Sequence, residues 1–146
     1  MERRPLIGPA QVRLEVEETT RAGALRAAAD LLRGDPRVTS WDDLWTSAGE
    51  RQVAELESCE VCIAHGRRGA RELVVSAVRL SSPVPGQNGG SIRYVFLFGI
   101  PEAMAEEYLR AVGALVRGCR CDERLAELAG ANSPADFARC VEAWIA

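Results

Sequence analysis

The sequence contains no lysine, and all 18 of its basic residues are arginine. It therefore lacks both the lysine that a phosphate-binding P-loop requires and one that forms a Schiff base, which excludes both classes of site. The remaining cations are rigid, forked guanidinium groups, which suit phosphate and carboxylate ligands. The formal net charge is −3, and no aromatic residue is interleaved with the small basic cluster of Arg67, Arg68 and Arg71, so nucleic acid is not an expected partner.

Long apolar runs are also missing. No segment reaches the length of a membrane-spanning helix, and none near the start resembles the apolar core of an export signal. We therefore expect a cytoplasmic protein that does not insert into a membrane. Its five cysteines are expected to be reduced thiols, because disulfide frameworks belong to oxidising compartments.

The pattern of apolar residues predicts a layered α/β arrangement, and the length of 146 residues suits one domain. Residues 12–16 alternate between apolar and charged side chains, as a half-buried strand does. Further strands are predicted at residues 61–64, 73–80 and 92–98. Residues 83–90 are rich in proline, glycine and asparagine, which predicts a loop.

Helices are predicted where a capping residue precedes an apolar stripe of helical period. Thr20 or its neighbour begins the first, and Ser40 begins the second. Pro101 opens a third helix, Leu125 belongs to a short helical piece, and Ser133 begins the last.

The only histidine, His65, stands at the end of a predicted strand and is followed by Gly66 and Arg67. Ligand sites in open α/β sheets favour the carboxyl ends of strands. A histidine that accepts a phosphoryl group needs a fixed ring, room beside it and a cation to balance the phosphate charge. Gly66 provides the room and Arg67 provides a forked donor. The alternative interpretation is a surface histidine without chemistry.

These residues resemble the enzyme IIA domain (mannitol/fructose/nitrogen type) of the bacterial phosphoenolpyruvate-dependent phosphotransferase system. The family motif reads apolar-Ala-Ile-Pro-His-small-Arg at a strand end, and residues 62–67 read Cys-Ile-Ala-His-Gly-Arg. Residues 81–84, 94–102 and 133–145 match, in order, a turn, the next strand with its Pro-Glu corner, and the closing helix. The resemblance implies a single α/β domain with a central mixed β-sheet and helices on both faces.

The resemblance begins at about Val12, so residues 1–11 are predicted to be an N-terminal extension and residues 12–146 the domain. It implies that His65 takes a phosphoryl group from a histidine-containing phosphocarrier protein and passes it to an enzyme IIB or a regulatory target. No cofactor or metal is implied. Because no IIB or membrane segment is attached, we expect a regulatory role rather than sugar transport.

The resemblance also assigns Arg51 to the arginine that opens the segment before the histidine strand. The family usually has a glycine-rich loop there, which helps to build the phosphate cradle, but residues 51–59 contain no glycine. Glu55 and Glu57 are expected to repel phosphate.

Two further departures lie close to the histidine. Ala64 replaces a proline, and Tyr108 takes the position of a second histidine found in many members. A phenol donates one hydrogen bond but carries no charge. Tyr108 is therefore either a phosphate-site residue or simply a core residue of its helix. With these parts missing, a degenerate module that binds partners and senses the relay without turnover is an open alternative.

A zinc site is a second alternative. Cys59, Cys62 and His65 have a Cys-x-x-Cys-x-x-His spacing, and Cys119-x-Cys121 offers a second pair. Against this, strand alternation would direct Cys59 and Cys62 to opposite faces of a sheet.

Overall fold

The computed structural model describes residues 5–50 and 53–146. Its strands are β1 (Val12–Val16), β2 (Ala54–Leu56), β3 (Val61–Gly66), β4 (Val74–Pro85) and β5 (Ser91–Gly99). They form one five-stranded sheet in the order β1-β4-β5-β3-β2. The β1–β4 and β3–β5 pairs are parallel, whereas β4–β5 and β2–β3 are antiparallel. The predicted mixed sheet is confirmed.

Three helices begin directly after the capping residues Thr20, Ser40 and Ser133, whereas the helix expected to open at Pro101 begins at Ala105, after a short 3-10 helix at Glu102–Met104. The helices are α1 (Arg21–Asp30), α2 (Trp41–Gly49), α3 (Ala105–Cys119), α4 (Asp122–Gly130) and α5 (Pro134–Ile145). The side chains of Thr20, Ser40 and Ser133 each accept a hydrogen bond from the backbone N–H three residues ahead. These bonds satisfy amide groups that a helix leaves unpaired at its start.

Helices cover both faces of the sheet, as the resemblance implied. The face beneath α1 and α2, here called the alanine face, packs small and aliphatic side chains. Its buried helix residues include Ala24, Ala28, Ala29 and Ala48. The opposite face, here called the aromatic face, packs against α3, α4 and α5. Its core contains Tyr94, Phe96, Phe98, Tyr108 and Phe137.

Two features of the sheet differ from the sequence-based expectation. The three-residue strand β2 was not predicted, because it forms by pairing with β3 at the sheet edge and has no periodic pattern of its own. Strand β4 continues to Pro85, so the predicted loop at residues 83–90 was too long. Pro83 is accommodated because β1 accompanies β4 only to Leu80 and the β4–β5 register shifts between Arg79 and Val84.

The segment before β1 packs on the domain. Ile7 is buried, and the carboxylate of Glu142 on α5 accepts hydrogen bonds from the backbone of residues 6 and 7. The buried guanidinium of Arg37 pairs with Asp35 and donates to the Pro5 carbonyl at 2.7 Å. The division of the chain at residue 12 stays a prediction.

No helix in the described part of the chain combines the length and the apolar composition needed to cross a bilayer.

Candidate active site around His65

His65 lies at the carboxyl end of β3, beside Phe98 of the parallel neighbour β5. Alternation along β3 directs Val61 and Ile63 to the aromatic face and therefore directs His65 the same way. The His65 side chain is half-buried. The ring thus stands at the rim of the aromatic core, where one side packs on protein and access from outside is retained.

Tyr108, on the first half of α3, packs against the histidine. The two ring centroids are 5.5 Å apart, and the Tyr108 hydroxyl oxygen lies 3.5 Å from His65 Nδ1, the outer limit of a hydrogen bond. Phe98 meets the Tyr108 ring edge-on at 5.2 Å. The structure places Tyr108 in the core and against the histidine at once, so its two sequence-based interpretations do not exclude each other.

The electrostatics of Tyr108 favour a neutral donor. Burial raises the pKa of Tyr108 above its ordinary value, and the nearby charge of Arg67 acts in the opposite direction. The phenol is therefore protonated at neutral pH, and its O–H donates to Nδ1 whenever that nitrogen carries no proton.

Arg67 follows the strand end and is exposed. It lines a shallow depression of about 240 Å³ together with the corner that leads into α3. The other lining residues are Ile100, Pro101, Glu102 and Ala105. Tyr108 thus contacts His65 directly, and the charge of Arg67 lowers the pKa of its phenol.

Two other arginines of the same connection, Arg68 and Arg71, make contacts away from the histidine. Arg68 is exposed and forms a bidentate ion pair with Glu50, at 3.0 and 2.8 Å. Arg71 is exposed, and its backbone N–H binds the Arg37 carbonyl. Arg51, which the resemblance assigns to the site, lies outside the described residues.

Glu55, in the segment that replaces the glycine-rich loop, lies on the side of the sheet opposite the histidine ring. Glu55 on β2 pairs with Cys62 of β3 in the antiparallel register, which puts both side chains on the alanine face, opposite His65. Its carboxylate binds Arg21 at 2.6 Å and accepts from the Gln87 N–H. The expected repulsion of phosphate by Glu55 is therefore not supported by its position.

Ala64 also belongs to the alanine face. It is buried and lines a pocket of about 300 Å³ between α1, α2 and the sheet, with Leu25, Trp45 and Leu97 among its neighbours. The family's proline would stand on the side of β3 away from the histidine ring. Its replacement by alanine changes backbone stiffness before His65 rather than direct contacts to the ring.

The structure does not bring together the residues of the zinc alternative. Cys59 belongs to the aromatic core and Cys62 to the alanine core. Within residues 5–50 and 53–146, no group of three or more His, Cys, Asp or Glu side chains is arranged to hold a metal ion. Burial raises the pKa of Cys62 and of Cys119 to about 12, so both thiols are protonated at neutral pH and behave as small apolar side chains.

Comparison with solved structures agrees with the fold described above. A chain in the complex of enzyme IIAMTL and phosphorylated enzyme IIBMTL from Escherichia coli superposes with a TM-score of 0.76 at 14% identity, covering 94% of this chain and 97% of that one. Nitrogen regulatory protein IIA-Ntr from Neisseria meningitidis gives a TM-score of 0.72 at 19% identity, covering 93% and 96%. The fold is that of the mannitol-type enzyme IIA proteins.

A third solved structure extends the likeness. The mannitol-specific cryptic phosphotransferase enzyme IIA CmtB from Escherichia coli gives a TM-score of 0.72 at 17% identity, over 94% of this chain and 96% of that one. No protein-family model matches the sequence, and a comparison with curated proteins finds no match. At such identities the likeness establishes the IIA fold and leaves the chemistry to the residues.

Sequence reasoning missed two residues, one beside the histidine and one that contacts the loop after it. Phe98 was placed in a strand but not beside His65, because the parallel pairing of β3 with β5 is a tertiary feature. Ser47 on α2 is buried and hydrogen-bonded to the backbone just after Arg67. No sequence motif distinguishes Ser47 from an ordinary helix serine.

Proposed function

We propose that this protein is a cytoplasmic phosphoryl carrier of the IIA type, in which His65 accepts and donates a phosphoryl group. The observation that carries the proposal is the placement of the single histidine. It stands at the open end of β3 on an IIA fold, with a neutral hydroxyl at one ring nitrogen and Arg67 in the next turn of chain.

The transfer reaction needs no cofactor. A ring nitrogen of His65 attacks the phosphorus atom of a phosphorylated histidine on the donor protein. A new P–N bond forms while the donor's P–N bond breaks; the donor imidazole leaves with the electron pair and takes up a proton, and the other ring nitrogen of His65 gives up its proton. Arg67 balances the charge on the phosphoryl oxygens, which is the main assistance that such a loose transition state requires.

The position of Tyr108 indicates which ring nitrogen reacts. Its hydroxyl oxygen lies at Nδ1, where it can accept from Nδ1–H in the tautomer that leaves the lone pair of Nε2 free to attack, so we propose phosphorylation at Nε2. A phosphoryl group on Nδ1 would have to displace a phenol that is only 8% exposed and held edge-on by Phe98. Nitrogen-15 NMR of the phosphorylated protein distinguishes the two isomers.

The proposed partners are a histidine-containing phosphocarrier protein as donor and an enzyme IIB or regulatory target as acceptor. Among the solved structures with this fold, one is a complex with phosphorylated enzyme IIB and another is a nitrogen regulatory protein. We propose the regulatory role over sugar transport, since Tyr108 offers no charge to phosphate and Ala64 leaves the backbone before His65 less restricted.

The decisive experiment incubates the protein with phosphoenolpyruvate, enzyme I and the phosphocarrier, and measures acid-labile, base-stable phosphate. We expect up to one phosphate per chain, none in His65→Ala, and a rate reduced on the order of 10²–10³-fold in Arg67→Ala. Arg71→Ala is the matched control, because Arg71 is also exposed but lies further along the β3–β4 connection, where its backbone binds Arg37, and we expect its rate to stay near that of the unaltered protein.

A partner-sensing module without turnover is the second candidate. The observation in its favour is Tyr108, a neutral side chain where the resemblance expects a second imidazole. Co-purification with the phosphocarrier without any label would support this module and reject the carrier. Label that persists in His65→Ala would reject both.

A further inference from the structure

The loop that carries Arg67, residues 66–69, is packed directly against α2. At Gly66 a β-carbon would lie 2.6 Å from the Leu44 carbonyl oxygen and 2.7 Å from the Ser47 hydroxyl oxygen. At Gly69, whose φ is +84°, it would lie 2.2 Å from the Ser40 carbonyl oxygen. Two glycines, at either end of the loop, therefore let the backbone touch the helix where any side chain would separate them.

Hydrogen bonds hold the same loop to α2 and to the segment before it. The buried hydroxyl of Ser47 donates to the Leu44 carbonyl at 3.0 Å and accepts from the Arg68 N–H at 3.2 Å. The Gly69 carbonyl accepts from the backbone N–H groups of Thr39 and Ser40, at 2.7 and 3.2 Å.

These contacts leave Arg67 between two fixed points. On one side, Gly66 is still in register with β5, and its carbonyl accepts from the Ile100 N–H at 2.9 Å. On the other side, the Arg68 N–H is held by Ser47. The Arg68–Glu50 ion pair adds little to this attachment, because both of its side chains are about half exposed.

We infer that Ser47 is a positioning residue for phosphoryl transfer: by holding the Arg68 N–H, it fixes the backbone of Arg67 and so the point from which the guanidinium extends to the depression before α3. Ser47 lies on the alanine face of the sheet end and contacts the loop rather than the ring. The inference rests on the proposed function, since it assigns a role in the reaction at His65.

A double-mutant cycle separates positioning from mere support of the fold. The rate of phosphoryl transfer is measured for the unaltered protein, Ser47→Ala, Arg67→Ala and the double variant. Thr46→Ala, an exposed neighbour on the same helix, is the control. We expect Ser47→Ala to slow transfer roughly 10- to 100-fold, because small misplacements of a group that meets the transition state are costly. We expect Thr46→Ala to leave the rate unchanged.

If Ser47 acts through Arg67, its substitution costs nothing further once Arg67 is gone, so the double variant matches Arg67→Ala. Affinity for the phosphocarrier is expected to stay within about twofold in Ser47→Ala, because Ser47 is buried and offers no side chain to a partner's surface. Losses that multiply in the double variant, or an unchanged rate in Ser47→Ala, would overturn the inference.

A second measurement keeps the test independent of turnover. NMR resonances of the Arg67 side chain and the Tyr108 ring are compared in the unaltered protein, Ser47→Ala and Thr46→Ala. We expect shifts in Ser47→Ala alone. If the unaltered protein is not phosphorylated, the proposed function fails, and these spectra still decide whether Ser47 places Arg67; unchanged spectra in Ser47→Ala would reject that placement.

Discussion

The two faces of the sheet are built from different side chains, although the same strands supply both. All three phenylalanines and both tyrosines of the chain lie on the aromatic face. The alanine face instead buries four alanines of α1 and α2 against valine and leucine of the strands. Large rings fill space beneath the three helices α3 to α5, whereas small side chains let α1 and α2 approach the sheet closely.

This difference has a consequence at the end of β3, where neighbouring residues face opposite ways. His65 turns to the aromatic face and packs on a ring, while Gly66 meets the backbone of α2. One face supplies the ring contacts of the site and the other supplies its backbone anchorage. The comparison predicts that the aromatic face is destabilised most by substitutions that shorten its side chains, and the alanine face most by substitutions that enlarge them.

Truncation of the aromatic face should have the largest effect. Phe137 is fully buried and stacks between Tyr94 and Phe96, with ring centroids 6.3 and 6.2 Å away. We expect Phe137→Ala to lower the free energy of unfolding by about 3–5 kcal/mol, through lost burial and the cavity left behind. Urea denaturation measures this, and Phe137→Leu should recover part of the loss. A loss below about 1 kcal/mol would show that this core refills easily.

Enlargement of the alanine face should come next. Ala28 is fully buried where α1 crosses the sheet, and its carbonyl accepts from the Ser76 hydroxyl at 2.7 Å. Ala28→Leu should cost about 1–3 kcal/mol because the helix must move away from the strands. Ala22→Leu, at an exposed position of the same helix, is the control and should change stability by less than about 0.5 kcal/mol. Equal effects of the two substitutions would contradict close packing on this face.

Alkaline pH tests one buried thiol on each face. Cys62 and Cys119 have pKa values raised to about 12 by burial, against an ordinary value of 9.0. In the folded state these thiols stay protonated to a higher pH than in the unfolded state. Their contribution to the free energy of unfolding is therefore fully present below pH 9 and declines as the pH rises towards 12.

The decline should be at most about 1.4 kcal/mol per pH unit for each thiol. Unfolding midpoints measured between pH 8 and 10.5 should fall less steeply in Cys62→Ala and in Cys119→Ala than in the unaltered protein. Cys121→Ala, at a half-exposed position, is the control. A pH profile that neither core substitution alters would mean that other groups govern alkaline stability.

The smallest effect on stability is expected at the site itself. Tyr108→Phe keeps the edge-on contact with Phe98 but removes the hydroxyl next to His65 Nδ1. We expect the free energy of unfolding to change by about 0.5–1.5 kcal/mol or less. The tautomer ratio of the His65 ring should nonetheless change, which nitrogen-15 NMR of the imidazole reports. An unchanged tautomer ratio would assign Tyr108 to core packing alone.

Local signals in the sequence predicted the helices well. Thr20, Ser40 and Ser133 cap their helices through bonds that span three residues, so the information is contained in a short stretch. Strand β2 escaped prediction because three residues carry no period, and only the partner β3 makes them a strand. Pro83 suggested a loop since the sequence does not reveal that β4 has lost its β1 neighbour there.

The site was less accessible to local reasoning. The placement of His65 at a strand end followed from the apolar run before it. The contact with Tyr108 joins residues 43 positions apart and was approached only through the family resemblance. The hydrogen bond from the Arg68 N–H to Ser47 depends on the packing of α2 against a loop 21 residues later, which no pattern of side chains predicts.

The two outer strands of the sheet bear on how copies of this protein meet in a concentrated solution. β2 is three residues long, and β1 is interrupted where Glu15 adopts a φ of 54° and the register shifts. A straight row of free amide and carbonyl groups is the template on which sheets of separate molecules join. Here each margin offers only a short or kinked row, so the geometry of the fold opposes edge-to-edge growth.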